Sequence, residues 1–146
     1  MNVHMDTKKH ALRAKIHSLP IPSEGQTSMR VPYIIMHSPK ARGDMYLLLS
    51  APSPSHANVA EDLNHNSRDP NIVGGGILSL SKNGDTWNMN MEARSHYGTI
   101  PEEVQDRFAQ KIKRTLALKG VEIDQMETIA SDSDVHHHWE NKHQAA

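Results

Sequence analysis

The 146-residue chain contains no cysteine. That excludes disulfides and thiolate metal ligands, and a reducing compartment is compatible with it. Excess charge of one sign is also missing: 16 Lys and Arg stand against 17 Asp and Glu, a formal net charge of -1. A nucleic-acid binder working by bulk positive charge is therefore not expected. No apolar run approaches the roughly 20 residues of a membrane helix, and Met1 to Leu12 has no signal-peptide core. The expectation is a soluble, cytoplasmic chain with one main domain and no membrane partner. A Walker-type glycine-lysine loop, a G-x-S-x-G elbow and an internal repeat are all absent. Ser53 and Ser55 lie near His56, but no orienting carboxylate completes a triad.

What is present centres on Gly74-Gly75-Gly76-Ile77-Leu78-Ser79-Leu80-Ser81 and Thr86 to Arg94, joined through Asn83-Gly84. Leu78 and Leu80 share one face, as do Trp87, Met89, Met91 and Ala93, while Asn88, Asn90, Glu92 and Arg94 share the other. This alternation predicts a β-hairpin, with Asn83-Gly84 supplying the positive φ that a tight turn needs. Three glycines before a strand imply a bend or a close approach. Ser95-His96-Tyr97-Gly98 then leads into a helix start, where free N–H groups favour anions. Both flanks suit the border of a phosphate site.

Taken in order, Asp6 to His17 reads as a short basic amphipathic helix with Leu12 and Ile16 on one side. Ser18 to Met29, with Pro20, Pro22 and Gly25, reads as a linker. Val31 to Met36 and Met45 to Leu49 are short apolar strands, and Pro32 must sit where its missing N–H does no harm. Ser55 is an N-cap candidate for a helix from His56 to Leu63 that buries Val59 and Leu63. Thr99-Ile100-Pro101-Glu102 has capping-box spacing, and Val104, Phe108, Ile112 and Leu116 form the apolar stripe of a second helix that Gly120 ends. Val121 to Asp124 predicts the last strand. The expected fold is α+β, a single mixed sheet of five to six strands with two main helices packed against it. The expected organisation is an N-terminal basic segment and linker (1–29), the α+β domain (30–127) and a flexible His-containing tail (128–146).

The segment from Val31 to about Met126 resembles the protein-histidine phosphatase (Janus) family. The resemblance rests on the Tyr33-Ile34-Ile35 strand, on His56-Ala57-Asn58-Val59, on the Gly74-Gly75-Gly76 triplet and on the Ser95-His96-Tyr97-Gly98 turn. It implies a phosphatase in which His56 is the general base for a water attacking the phosphorus of phosphohistidine. It also implies that backbone amides near Ala57, Gly75, Gly76 and Ser95, with Tyr97 beside them, border the phosphoryl group. The chain departs from the pattern in two places, with Ile77 after the triplet and Pro32 before Tyr33, where the family carries basic residues. Arg30, Arg42 and Arg94 are the candidates to replace that charge. The implied partner is a phosphohistidine-containing protein or a small phosphoramidate, with no cofactor.

Each of these residues also has an ordinary structural role open to it: a solvated first-turn His56, a bend at the glycines, a solvated strand end at Arg94 and Ser95. The same scaffold also suits a non-catalytic module recognising an anionic group or a protein through the face carrying Asn88, Asn90 and Glu92. The run His136-His137-His138, with His143 beyond it, offers metal ligands only adventitiously if the tail is unstructured, so no metal site is expected.

Overall fold

Period-two alternation sets the architecture of the chain. The structure, a computed structural model, describes residues 13–38, 45–52, 59, 71–94, 98–129 and 136–140, the last five as backbone. Its strands are β1 (Arg13–Ser18), β2 (Ser28–His37), β3 (Met45–Ser50), β4 (Ile72–Asn83), β5 (Thr86–Arg94), β6 (Ile123–Ile129) and β7 (His136–Glu140). One helix, α1 (Glu102–Leu118), connects β5 to β6. The strands form one sheet in the order β1-β3-β2-β4-β5-β6-β7. Pairing is parallel between β1 and β3 and between β5 and β6, and antiparallel elsewhere, so the sheet is mixed.

The α+β class stands, with a wider sheet, and α1 is the helix whose bounds the described residues give. The helix expected from His56 to Leu63 lies outside the described residues except for Val59. Over Arg13–Ser18 the chain is a strand rather than the end of a basic helix. Leu12 and Ile16 fit a helical period, but Ala14 and Ile16 also fit period two, and both pack against the core once β1 pairs with β3. Arg13 and Lys15 remain exposed on this edge strand, where charge discourages further pairing. At the other end, β6 runs to Ile129 and β7 lies within the segment read as a flexible tail.

The hairpin and helix patterns translate directly into packing. Trp87, Met89, Met91 and Ala93 of β5 are buried on the face that meets α1, together with Leu78 and Leu80 of β4 and Met29, Val31, Tyr33 and Ile35 of β2. From α1, Val104, Phe108, Ile112 and Leu116 enter this core, joined by Gln105 and Ala109. Each large apolar side chain buried this way contributes roughly 1.5–3 kcal/mol before conformational entropy is counted.

Local details differ from the simplest reading. The hairpin loop is Gly84-Asp85, since Asn83 already pairs with Thr86, and Gly84 takes φ +67°. Pro101, which lacks a capping side chain, is the N-cap of α1, so the Thr99–Glu102 spacing does not form the expected box. Gly120, at φ +87°, ends the helix as expected: its N–H donates to Ala117 and that of Val121 to Leu116. Pro32 sits inside β2 at the point where pairing with β3 stops at Tyr33 and Ser50. Its carbonyl accepts the Ser50 hydroxyl at 2.7 Å. Its nitrogen therefore points toward the same side, past the last ladder pair, and no donor is missed.

Candidate functional site

Opposite α1, the sheet presents a second face divided into two parts. Its apolar part is a small cluster of Ile34, Met36, Leu49 and Val59, with Leu47 and Ile72 at its margin. Register places Leu49, Ile34, Gly75 and Arg94 in one cross-strand row. Gly75 has no side chain, so the row steps from the buried Ile34 across bare backbone to Arg94. Val59, fully buried, packs in the cluster that contains the first two members of that row.

Arg94 is about one-third exposed and pairs with Glu92, Nη2 to Oε1 at 3.3 Å. Its Nε is buried and lacks a hydrogen-bond partner. A guanidinium presents five donors, and one carboxylate contact leaves capacity for a second anion. Arg30 lies in a different cross-strand row. Arg30 stands in the row with Ser79, four residues along β2 from Ile34, which corresponds to about 13 Å along the strand. Arg42, His56, Ala57, Ser95 and Tyr97 lie outside the described residues.

The two glycines expected beside phosphate occupy opposite faces. Gly75 shares the face of Arg94, whereas Gly76 faces the core. A Cβ at Gly76 would meet the Glu92 carbonyl oxygen and lie 2.5 Å from the Tyr33 hydroxyl. Gly74 is packed less closely: the same hypothetical atom there would lie 2.9 Å from Ile100 Cγ1 and 3.2 Å from the Gly98 backbone. Close packing therefore requires glycine at Gly76, where backbone stands in the way.

Beneath this region lies a polar tie that the sequence pattern did not disclose. Tyr33 donates to Gln105 Oε1 at 3.0 Å, and Gln105 Nε2 donates to the carbonyls of Met91 and Ile129 at 3.1 and 3.2 Å. One helix side chain thus joins β2, β5 and β6. Burial pushes the Tyr33 hydroxyl well above the ordinary tyrosine range, although the Gln105 bond opposes the shift.

The polar part of the face continues below Arg94. Arg30, Ser79, Asn90 and Glu127 make one row, and Ser28, Ser81, Asn88 and Gln125 the next. Ser79, Ser81, Asn88, Asn90, Gln125 and Glu127 line a concavity of about 350 Å³. The Oδ1 atoms of Asn88 and Asn90 are buried there without hydrogen-bond partners. The alternation of β5 gave the two asparagines; Ser79 and Ser81 were legible in β4 by the same rule, but the β6 residues depend on the parallel register.

Among the described residues, no helix is long and apolar enough to cross a membrane. No family model, curated protein or solved structure matches the chain.

Proposed function

We propose that the chain is a phosphohydrolase that removes phosphate from phosphohistidine in proteins or from a small phosphoramidate. The observation that carries this reading is the row Leu49–Ile34–Gly75–Arg94, with Val59 packed against its apolar end. Val59 is three residues beyond His56 in sequence, in the element that resembles the phosphatase family's base. Arg94 is a cation with spare donors on that same face.

In this reaction His56 takes a proton from water as the water oxygen bonds to phosphorus. The N–P bond breaks, the departing imidazole nitrogen is reprotonated, and histidine and inorganic phosphate result. Imidazole, with an ordinary pKa of about 6.5, suits a base at neutral pH. Arg94 neutralises charge on the equatorial oxygens, and the remaining demand is alignment. The test is phosphate release from a phosphohistidine peptide by the wild-type chain and Arg94→Gln. A higher KM in the variant supports the reading, and an unchanged kcat/KM removes Arg94 from it.

A second reading, a non-catalytic binding module, is favoured by the polar concavity with its unpartnered Asn88 and Asn90 oxygens. Binding of the same peptide without turnover, lost in Asn90→Ala, is its expected signature.

A further inference from the structure

Along β5, the face opposite α1 changes from charge to amide chemistry. Asn90 and Asn88 follow Arg94 and Glu92 on that face, each two residues from the last. Register sets Asn90 beside Ser79, and Asn88 between Ser81 and Gln125. These residues line the concavity of about 350 Å³, and among the described residues no lysine or arginine lines it. Such a lining gives a phosphate no cation, but it gives a neutral polar group both donors and acceptors.

Two features of the asparagines indicate what fits. Each side chain is half-buried, and its Oδ1 is buried without a hydrogen-bond partner. An acceptor shut off from water in this way carries a free-energy cost that a donor from a ligand removes. The χ2 torsion of asparagine is soft, so the amide turns to meet such a donor. Spacing is the second feature. Same-face positions two apart on a strand lie about 6.6 Å apart, and an extended peptide laid along β5 presents a backbone N–H to one side at the same interval. A side-chain amide also matches a peptide unit group for group, its NH2 donating to the carbonyl and its oxygen accepting from the N–H.

We propose that Asn88 and Asn90 form a subsite for the backbone of an extended peptide running along β5, which makes the substrate a phosphohistidine carried by a protein and not a small phosphoramidate. The substrate assignment rests on the phosphatase reading; the subsite itself uses neither His56 nor Arg94. Asn90 and Asn88 stand about 13 and about 20 Å along the strand from Arg94, so the peptide residues held are about four and about six positions from the phosphohistidine. In the row between, the half-buried Ile77 and Ile129 flank Glu92 and give an intervening side chain an apolar rest.

The experiment follows the side-chain amide resonances of Asn88 and Asn90 by NMR in the isotope-labelled full chain. The probe is an unphosphorylated peptide of alanine and serine around a central histidine, about 13 residues long so that either flank reaches past Asn88. Saturable shifts of both resonances are expected. A copy of the peptide N-methylated throughout its flanks lacks the N–H donors and binds about tenfold more weakly. The variant combining Asn88→Ala with Asn90→Ala, folded by circular dichroism, shows a similar loss for the unmodified peptide, read from its backbone resonances. No shift at either asparagine, or equal affinity for the two peptides, overturns the subsite. In turnover, the same peptide phosphorylated at histidine is expected to have a KM about tenfold below that of free phosphohistidine in the wild-type chain. Equal KM values overturn the assignment of a protein-borne substrate. Shifts at the asparagines without turnover support the subsite and overturn the phosphatase reading.

Discussion

Tyr33 on β2 gives its buried hydroxyl proton to Gln105 on α1 across 3.0 Å, and Gln105 passes the connection on to the backbones of β5 and β6. Beside the apolar contacts of Val104, Phe108, Ile112 and Leu116, these directional bonds tie the helix to the sheet. The glutamine fixes its register against three strands.

Removing the donor tests that role. Tyr33→Phe leaves Gln105 Oε1 buried without its tyrosine partner and is expected to cost about 1–3 kcal/mol in urea unfolding, with an unchanged m value. Gln105→Leu removes all three bonds and is expected to cost more. Equal stability of wild type and Tyr33→Phe would show that the tie carries no net energy.

The same hydroxyl makes stability depend on alkaline pH. Its folded pKa is raised above the ordinary value of about 10, chiefly by burial. Above that pH the unfolded chain releases the proton while the folded chain holds it. The unfolded state then binds fewer protons, and stability falls as pH rises, by at most about 1.4 kcal/mol per pH unit from this group. Below about pH 10 the contribution is fully present. Urea midpoints between about pH 9 and about pH 11 should fall more steeply for wild type than for Tyr33→Phe. Parallel curves would contradict the assignment.

Glycine is required at Gly76 by contact and at Gly25 only by conformation. A methyl at Gly76 meets the Tyr33 hydroxyl at 2.5 Å and the Glu92 backbone, which cannot give way without opening β5. Gly76→Ala is expected to cost about 3 kcal/mol or more. Gly25 has φ +84°, and a methyl added there would have nothing within 4 Å, so Gly25→Ala is expected to cost only about 1–2 kcal/mol. Thermal unfolding of the pair separates the two causes.

Glu92 competes with any anion for Arg94. Neutralising it in Glu92→Gln should lower the KM for a phosphohistidine peptide, by about two- to fivefold given the modest strength of a partly exposed ion pair. A raised KM would mean that Glu92 orients Arg94 rather than occupying it.

The parts of the fold legible in the sequence are those where burial alone decides. Trp87, Met89, Met91 and Ala93 alternate, Val104 to Leu116 repeat at four, and both patterns name the faces that the structure buries. Pairing partners were harder to read. The Leu12–Ile16 spacing suits a helix until β3 offers Ala14 and Ile16 a parallel edge, and a histidine run reads as a tail until β6 gives it a ladder. For the candidate site, β5 alternation set Arg94 and Asn90 on one face in advance. That Gly75 and Gly76 look in opposite directions follows from the same period, but that Tyr33 fills the space over Gly76 depends on its β2 partner. Gln105, polar and one step off the apolar stripe, gave no signal of burial.

The central claim is the proposal that His56 acts as the general base of a phosphohistidine phosphatase, and phosphate release from a phosphohistidine peptide tests it most directly. Wild-type chain should exceed the spontaneous rate, and His56→Ala, folded by circular dichroism, should fall by about two orders of magnitude or more, as expected for loss of a general base. A wild-type rate no faster than spontaneous hydrolysis, or a His56→Ala rate equal to wild type, would contradict the account.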